Sequence, residues 1–301
     1  MYSLEEVRVA LAPAYHVDTE LRHEGLGQRL LARDVADKPV MITALGQSLA
    51  HQMSAESFVN SLRQTMVVRH PGLLPLLNAG RTPGGIIFFV TPFPDGPSAQ
   101  DRVQDRGVLP ASTVASIGMR VLAALASLHV AGLVHGRINA RALYITGDGA
   151  VLADHGVYQA LIGAGVPGPA LLAAYGSSSH VSPEQVAGEL ADARSDVYSL
   201  GTTLYELLTG KPPFGGRTTS ATLVTVLSDE AGERVGGTQT PGYVSRAILR
   251  AIEKLPDDRW QSAEAFSQAL GDRETEAGPR RRVGCLPAAL ATAVVTVWLA
   301  H

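Results

Sequence analysis

The chain has 301 residues, enough for two domains of about 150 residues or for one two-lobed unit. Hydrophobic residues make up 46% and charged residues 18%, which excludes a disordered chain, and a net charge of −3 gives no whole-molecule basic field for nucleic acid. The single cysteine, Cys285, excludes an internal disulfide framework and a cysteine-built zinc site, and lysine occurs only at Lys38, Lys211 and Lys254.

Met1–Ala14 lacks an apolar core behind a basic start, so no signal peptide is expected there. From Tyr15 to Phe93 the pattern predicts short strands, with Val40–Leu45 and Ile86–Val90 as apolar, partly β-branched runs behind turn residues. Between them, Ala55–Val68 carries Phe58, Leu62, Thr65 and Met66 at helical spacing, and Ser54 is a candidate N-cap. PFPDGP at Pro92–Pro97 reads as a hinge. Beyond it Ser112–His129 places Val114, Ile117, Val121, Leu125 and Leu128 on one helical stripe. The expected fold is α+β and two-lobed: a small β-rich lobe over 15–91, a hinge at 92–97 and a large helical lobe over 98–270.

Residues 271–282, GDRETEAGPRRR, read as a juxtamembrane linker. Val283–Ala300 follows with 18 uncharged residues. As a helix it measures about 27 Å against a hydrocarbon core of about 30 Å. Arg280, Arg281 and Arg282 flank one end only and Trp298 lies near the other. The positive-inside rule therefore predicts a single-pass membrane helix with the folded part cytoplasmic and the C-terminus outside. A buried C-terminal helix is the competing reading, favoured by the alanines and Pro287.

Four segments carry a resemblance. SDVYSLGTTLYELLTGKPPF (Ser195–Phe214), HVSPEQ (His180–Gln185), LVHGRINARALYITGDGAVLADHG (Leu133–Gly156) and RHPGLLPLLNAG (Arg69–Gly80) stand in order and near the expected spacing. With them the chain resembles the protein-kinase family over residues 15–270, most closely the bacterial serine/threonine kinases with a membrane helix behind the kinase domain. The resemblance implies scaffold roles for four residues. Asp196 would anchor the catalytic-loop backbone, Glu184 would pair with Arg259, and His135 would be a packed structural histidine.

The same resemblance implies that most catalytic positions are changed. The lysine of the VAIK pattern falls on Thr43 and its helix partner on Ser61. HRDLKPEN becomes HGRINARA, so the catalytic aspartate is Arg137, the following lysine Asn139 and the metal-binding asparagine Ala142. Only the DFG aspartate remains, Asp154, as a residual cation or nucleotide contact. A guanidinium stays protonated at physiological pH, so Arg137 cannot act as a general base. The glycine-rich loop falls on LRHEGLGQRL, with Arg22 and Glu24 at the first two glycine positions and Gly27 kept. Arg29, Met41 and Tyr144 then stand where an adenine ring would slide in, and the nucleotide pocket is expected to be occluded. His155 replaces the DFG phenylalanine as a polar spine residue. Ser177, Ser178 and Ser179 are candidate phosphosites in the segment equivalent to the activation loop.

These readings converge on a membrane-anchored pseudokinase, a protein-binding regulatory module that is not an enzyme. Its expected partners are a signalling or cell-envelope protein, an active kinase among them, with no nucleic acid and with the membrane reached through 283–300. No metal site and no cofactor are expected; weak ATP and magnesium binding is the most that Asp154 allows. The alternative is an unorthodox ATP-dependent serine/threonine kinase or other transferase. It would use Asp154 on the metal, with Arg29 or Lys38 replacing Thr43.

Overall fold

The computed structural model describes residues 2–231, 235 and 240–272. The linker beyond residue 272 and the membrane helix expected at 283–300 lie outside the described residues.

The chain opens on a helix that the strand-seeking pattern passes over. In α1 (Leu4–Leu11) the Ser3 Oγ accepts from the Glu6 N–H at 3.2 Å, and the Glu6 carboxylate accepts from the Ser3 N–H at 2.6 Å. This reciprocal pair satisfies two donors that a first helical turn otherwise leaves open. Those bonds hold the Glu6 carboxyl below its ordinary range.

Five antiparallel strands then form one sheet in the order β1-β2-β3-β5-β4. They are β1 (Tyr15–Glu24), β2 (Gly27–Asp34), β3 (Pro39–Leu45), β4 (Asn78–Arg81) and β5 (Ile87–Pro92). Strand β3 lies at the centre and is buried at every residue after Pro39. Side chains alternate across a strand, and the two faces meet different partners. Val40, Ile42 and Ala44 join Val7 and Leu11 of α1 in one cluster. On the other face Leu45 joins Phe58 and Leu62, while Met41 turns to Tyr144 of the large lobe. After the single turn α2 (Gln47–Ala50), those two apolar residues sit on α3 (Ala55–Gln64), whose N-cap Ser54 accepts from the Ser57 N–H at 3.2 Å. The helix stops short of Val68 because Thr65–Val67 tightens into a 3₁₀ turn.

The large lobe begins with α4 (Ala99–Arg106) and the long α5 (Ala111–Val130). Among the described residues α5 is the one helix long and apolar enough to cross a membrane. Its stripe of Val114, Ile117, Val121, Leu125 and Leu128 is buried in the main core. A two-stranded ribbon, β6 (Leu143–Thr146) and β7 (Gly149–Leu152), is followed by α6 (Val157–Gly163), α7 (Gly168–Ala174) and α8 (Pro183–Val186). Helix α9 (Ala193–Thr209) is buried from Ser195 to Leu204 on all sides, so it is the lobe's central rod. It ends where Gly210 takes a left-handed φ of 78°, a conformation that favours glycine at a helix C-terminus. Then α10 (Thr219–Ser228), α11 (Gly242–Ala251) and α12 (Ala263–Gly271) close the lobe. The two-lobed plan of sheet and helices expected from the sequence is the one observed.

Candidate functional site

The site lies where β2, β3 and the loop before β6 face the segment after β7. Its floor is set by Asp196 on α9. The Asp196 carboxylate accepts the backbone N–H of His135 at 2.8 Å and of Gly136 at 2.7 Å, and His129 Nε2 stands 2.8 Å away. Gly136 has φ +66°, and a Cβ there would meet the Tyr158 ring at 2.4 Å, so this turn requires glycine. The His135 Nε2–H donates to the Ala153 carbonyl at 2.8 Å, while its Nδ1 accepts from the Arg137 N–H at 3.3 Å. Full burial pushes the His135 imidazole below its usual range despite the nearby Asp196. Asn139 shapes the same loop, its Oδ1 accepting from the N–H of Arg141 and of Ala142.

Asp154 is held in a left-handed conformation at φ +67° and is buried between two arginines. Its Oδ2 accepts a short hydrogen bond from Arg29 Nη2, and Arg137 Nη1 approaches the same oxygen at 3.4 Å. Arg137 is fixed in turn by the Ala174 carbonyl at 2.8 Å. Burial alone would raise the Asp154 carboxyl, but the charges of Arg29 and Arg137 outweigh it and hold the group below its ordinary range. Its second oxygen, Oδ1, is buried with no hydrogen-bond partner.

Arg29 reaches Asp154 because of strand register. It pairs with Thr43 across β2 and β3, and directly paired residues project from the same face. The residue at the missing lysine's position therefore has a guanidinium beside it. Thr43 itself is buried with its hydroxyl unpaired. Ser61 lies on α3, which packs against α6. Lys38 stands exposed in the β2–β3 turn.

The two lobes also meet through side chains across the cleft. Arg29 Nη1 donates to the Tyr144 hydroxyl at 3.3 Å and lies 3.9 Å from the Met41 sulfur. Arg22 donates to the same hydroxyl at 3.0 Å and stands 3.5 Å from Asp101 at the start of α4. Arg29, Met41 and Tyr144 come together as a buried plug. Sequence reasoning missed Asp101, whose contact with Arg22 has no motif or spacing to announce it.

Among the described residues no group of three or more His, Cys, Asp or Glu could hold a metal ion. A magnesium–nucleotide does not fit the residues as placed. The Asp154 carboxylate faces two guanidinium groups, Ala142 offers no side-chain oxygen, and Met41 and Tyr144 pack against each other in one buried cluster between the lobes.

His155, next to Asp154, is buried with Nε2 unpaired, and burial pushes its imidazole down to about 4. An unfolded histidine titrates near 6.5, so the unfolded chain binds the extra proton first. This contribution to stability is complete above about pH 6.5 and is lost as pH falls towards about 4. His155→Phe is expected to remove up to about 3 kcal/mol of that acid-side loss. Urea midpoints at pH 7 and about pH 4 measure it; parallel pH curves for the two proteins would refute it.

Comparison with known proteins decides the family. The family described as protein kinase domain matches the chain over residues 30–267. The chain belongs to the protein kinase family. The serine/threonine-protein kinase PknB of Mycolicibacterium smegmatis is 31% identical over 261 residues, covering 84% of this chain and 42% of that protein. The serine/threonine-protein kinase pkn3 of Myxococcus xanthus is 28% identical, covering 94% of this chain and 53% of its own length. The chain thus spans about half the length or less of these curated relatives. The solved kinase domain of Mycobacterium tuberculosis PknI superposes with a TM-score of 0.62 at 22% identity, over 87% of this chain and 96% of that one. This likeness shows the kinase fold.

The expectation that the chain is not an enzyme is corrected here. It belongs to a bacterial serine/threonine kinase family, and the relatives that match over most of its length are named serine/threonine-protein kinases. The expectation rested on residue types at motif positions. A motif position and a point in space are different things: Arg29, read first as an obstruction and in the alternative as a replacement for Thr43, stands beside Thr43 and reaches Asp154.

Proposed function

We propose that the chain is a regulatory, protein-binding member of the bacterial serine/threonine kinase family, anchored to a membrane through residues 283–300, whose cleft is latched by Arg29. The buried Arg29–Asp154–Arg137 cluster supports this reading most directly. It bridges β2 to the loops beneath the cleft, so the relative position of the lobes is tied to one carboxylate. Phosphoryl transfer on this reading depends on release of Asp154, since a carboxylate committed to two guanidinium groups is not available to a cation. The partners are signalling or cell-envelope proteins, an active kinase among them, that read the latched surface. Ser177, Ser178 and Ser179 lie half-buried between α7 and α8, where modification by such a kinase would act.

Calorimetric titration of the full chain in detergent with magnesium–ATP tests the latch. Arg29→Met is expected to bind at least about tenfold more tightly than the unaltered protein, a gain of about 1.4 kcal/mol. Unaltered or weaker binding in the variant would make Arg29 a phosphate ligand or a bystander and would overturn the reading.

A further inference from the structure

The segment joining α7 to α8 builds a second polar arrangement beside the latched cleft, on the far side of Asn139. Ser177 Oγ stands 2.7 Å from His180 Nδ1, and His180 Nε2 stands 2.9 Å from Glu206 Oε2 on α9. The Glu206 carboxylate can only accept, so it holds the proton on Nε2 and leaves the Nδ1 lone pair to the Ser177 hydroxyl. His180 is 6% exposed and the Glu206 side chain 15%, so base and orienting acid are shielded from water. Ser177 is half-buried and opens onto a pocket of about 90 Å³ lined also by Asn139, Arg141 and Gly176. Arg141 gives its Nε–H to Gln100, and its two terminal nitrogens have no protein acceptor among the described residues. A cationic donor therefore borders the same small space as the hydroxyl.

A serine, a histidine and a carboxylate in hydrogen-bonded series are recognised by geometry and roles, whatever their order in the chain. We infer that Ser177, His180 and Glu206 form a nucleophilic relay that takes the acyl group of a small carboxylic ester, with Arg141 receiving the charge that develops on the carbonyl oxygen. Ser177 Oγ attacks the carbonyl carbon while its proton passes to His180 Nδ1, and the imidazolium is held by Glu206. The tetrahedral adduct collapses as the carbon–alkoxy bond breaks. His180 returns its proton to the leaving alcohol, and an acyl-serine remains. Water, deprotonated by the same nitrogen, then cleaves the acyl-serine to the carboxylic acid and restores the hydroxyl. The volume of the pocket limits the acyl group to a short one.

The full chain is incubated with p-nitrophenyl acetate, p-nitrophenolate release is followed, and the acetyl group is located by peptide mass spectrometry. The expected result is acetylation at Ser177, abolished in Ser177→Ala. A positioned base contributes about 100-fold or more, so acetylation should fall by at least that factor in His180→Gln. Glu206→Gln should lower it while leaving thermal unfolding close to the unaltered protein, which separates loss of the relay from loss of the fold. Acetyl spread evenly over Ser177, Ser178 and Ser179, or an unchanged rate in His180→Gln and Glu206→Gln, would show an ordinary hydroxyl and overturn the inference.

Discussion

Asp154→Ala is expected to lose about 3–5 kcal/mol of folding stability, the range for removing one member of a buried ion cluster. Against a domain total of about 5–15 kcal/mol this is a large fraction. The cause is what stays behind. Arg29 and Arg137 are buried at 2% and 4% exposure, both point at the Asp154 Oδ2, and neither guanidinium can shed its proton. Without the carboxylate, two positive charges face one another in low dielectric. Asp154→Asn keeps the volume but not the charge, so it should lose nearly as much. Removing Arg29 as well, in Asp154→Leu with Arg29→Met, should recover part of the loss, because the two like charges no longer face one another and only Arg137, held by the Ala174 carbonyl, stays charged. Urea unfolding of the three variants checks this. A loss under about 1 kcal/mol in Asp154→Ala would mean the cluster is open to water and holds nothing shut. The pH dependence follows from the same charges. Asp154 titrates below its ordinary value in the folded chain, so its stabilisation is complete above about pH 3.9 and is lost as pH falls further.

Much of this architecture was legible because it rests on periodicity. The stripe on α5, the apolar run along β3 and the cap at Ser54 are local patterns, and each produced its element in place. What was illegible depended on register or on distance along the chain. Ser3 and Glu6 spelled a capping box at the start of α1, yet a search for strands from Tyr15 onwards passed over it. Arg29 was read as bulk in a pocket or, in the alternative, as a replacement for Thr43. That its guanidinium pairs with Asp154 follows from its standing opposite Thr43, and strand β1 beside it carries two irregularities that no sequence pattern announces. The Ser177–His180–Glu206 series joins a loop to a helix 26 residues further on, so His180 was absorbed into the HVSPEQ resemblance and Glu206 into the helix around it. The mistaken inference of an inactive chain came from counting residue types by motif position, and the serine/threonine-protein kinases that match over most of the chain overturn it.

The second large effect lies far from the cleft, at Arg259, which is fully buried. A guanidinium has five N–H donors in a fixed fork, and here every one has an acceptor. Nη1 and Nη2 donate to the two oxygens of Glu184 at 2.8 Å each, a bidentate pair. Nη1 also reaches the Arg194 carbonyl at 3.1 Å, Nη2 the Lys254 carbonyl at 2.8 Å, and Nε the Glu253 carbonyl at 2.8 Å. One side chain therefore ties α8, the first turn of α9 and the segment after α11, while its plane lies 4.8 Å from the Tyr198 ring centre. Burial would raise the Glu184 carboxyl, but the hydrogen bonds and charge of Arg259 hold it below its usual range. Its stabilisation is thus complete above about pH 4.3 and lost as pH falls through the lower folded value. Arg259→Ala leaves Glu184 charged and half-enclosed and three carbonyls unmet, and should lose about 3–5 kcal/mol. Arg259→Lys is the sharper test. An ammonium keeps the charge but has three donors and no fork, so it cannot serve five acceptors spread around a plane. It should recover only part of the loss in urea unfolding. A lysine variant as stable as the unaltered protein would show that charge alone, and not the shape of the donor set, joins these three segments.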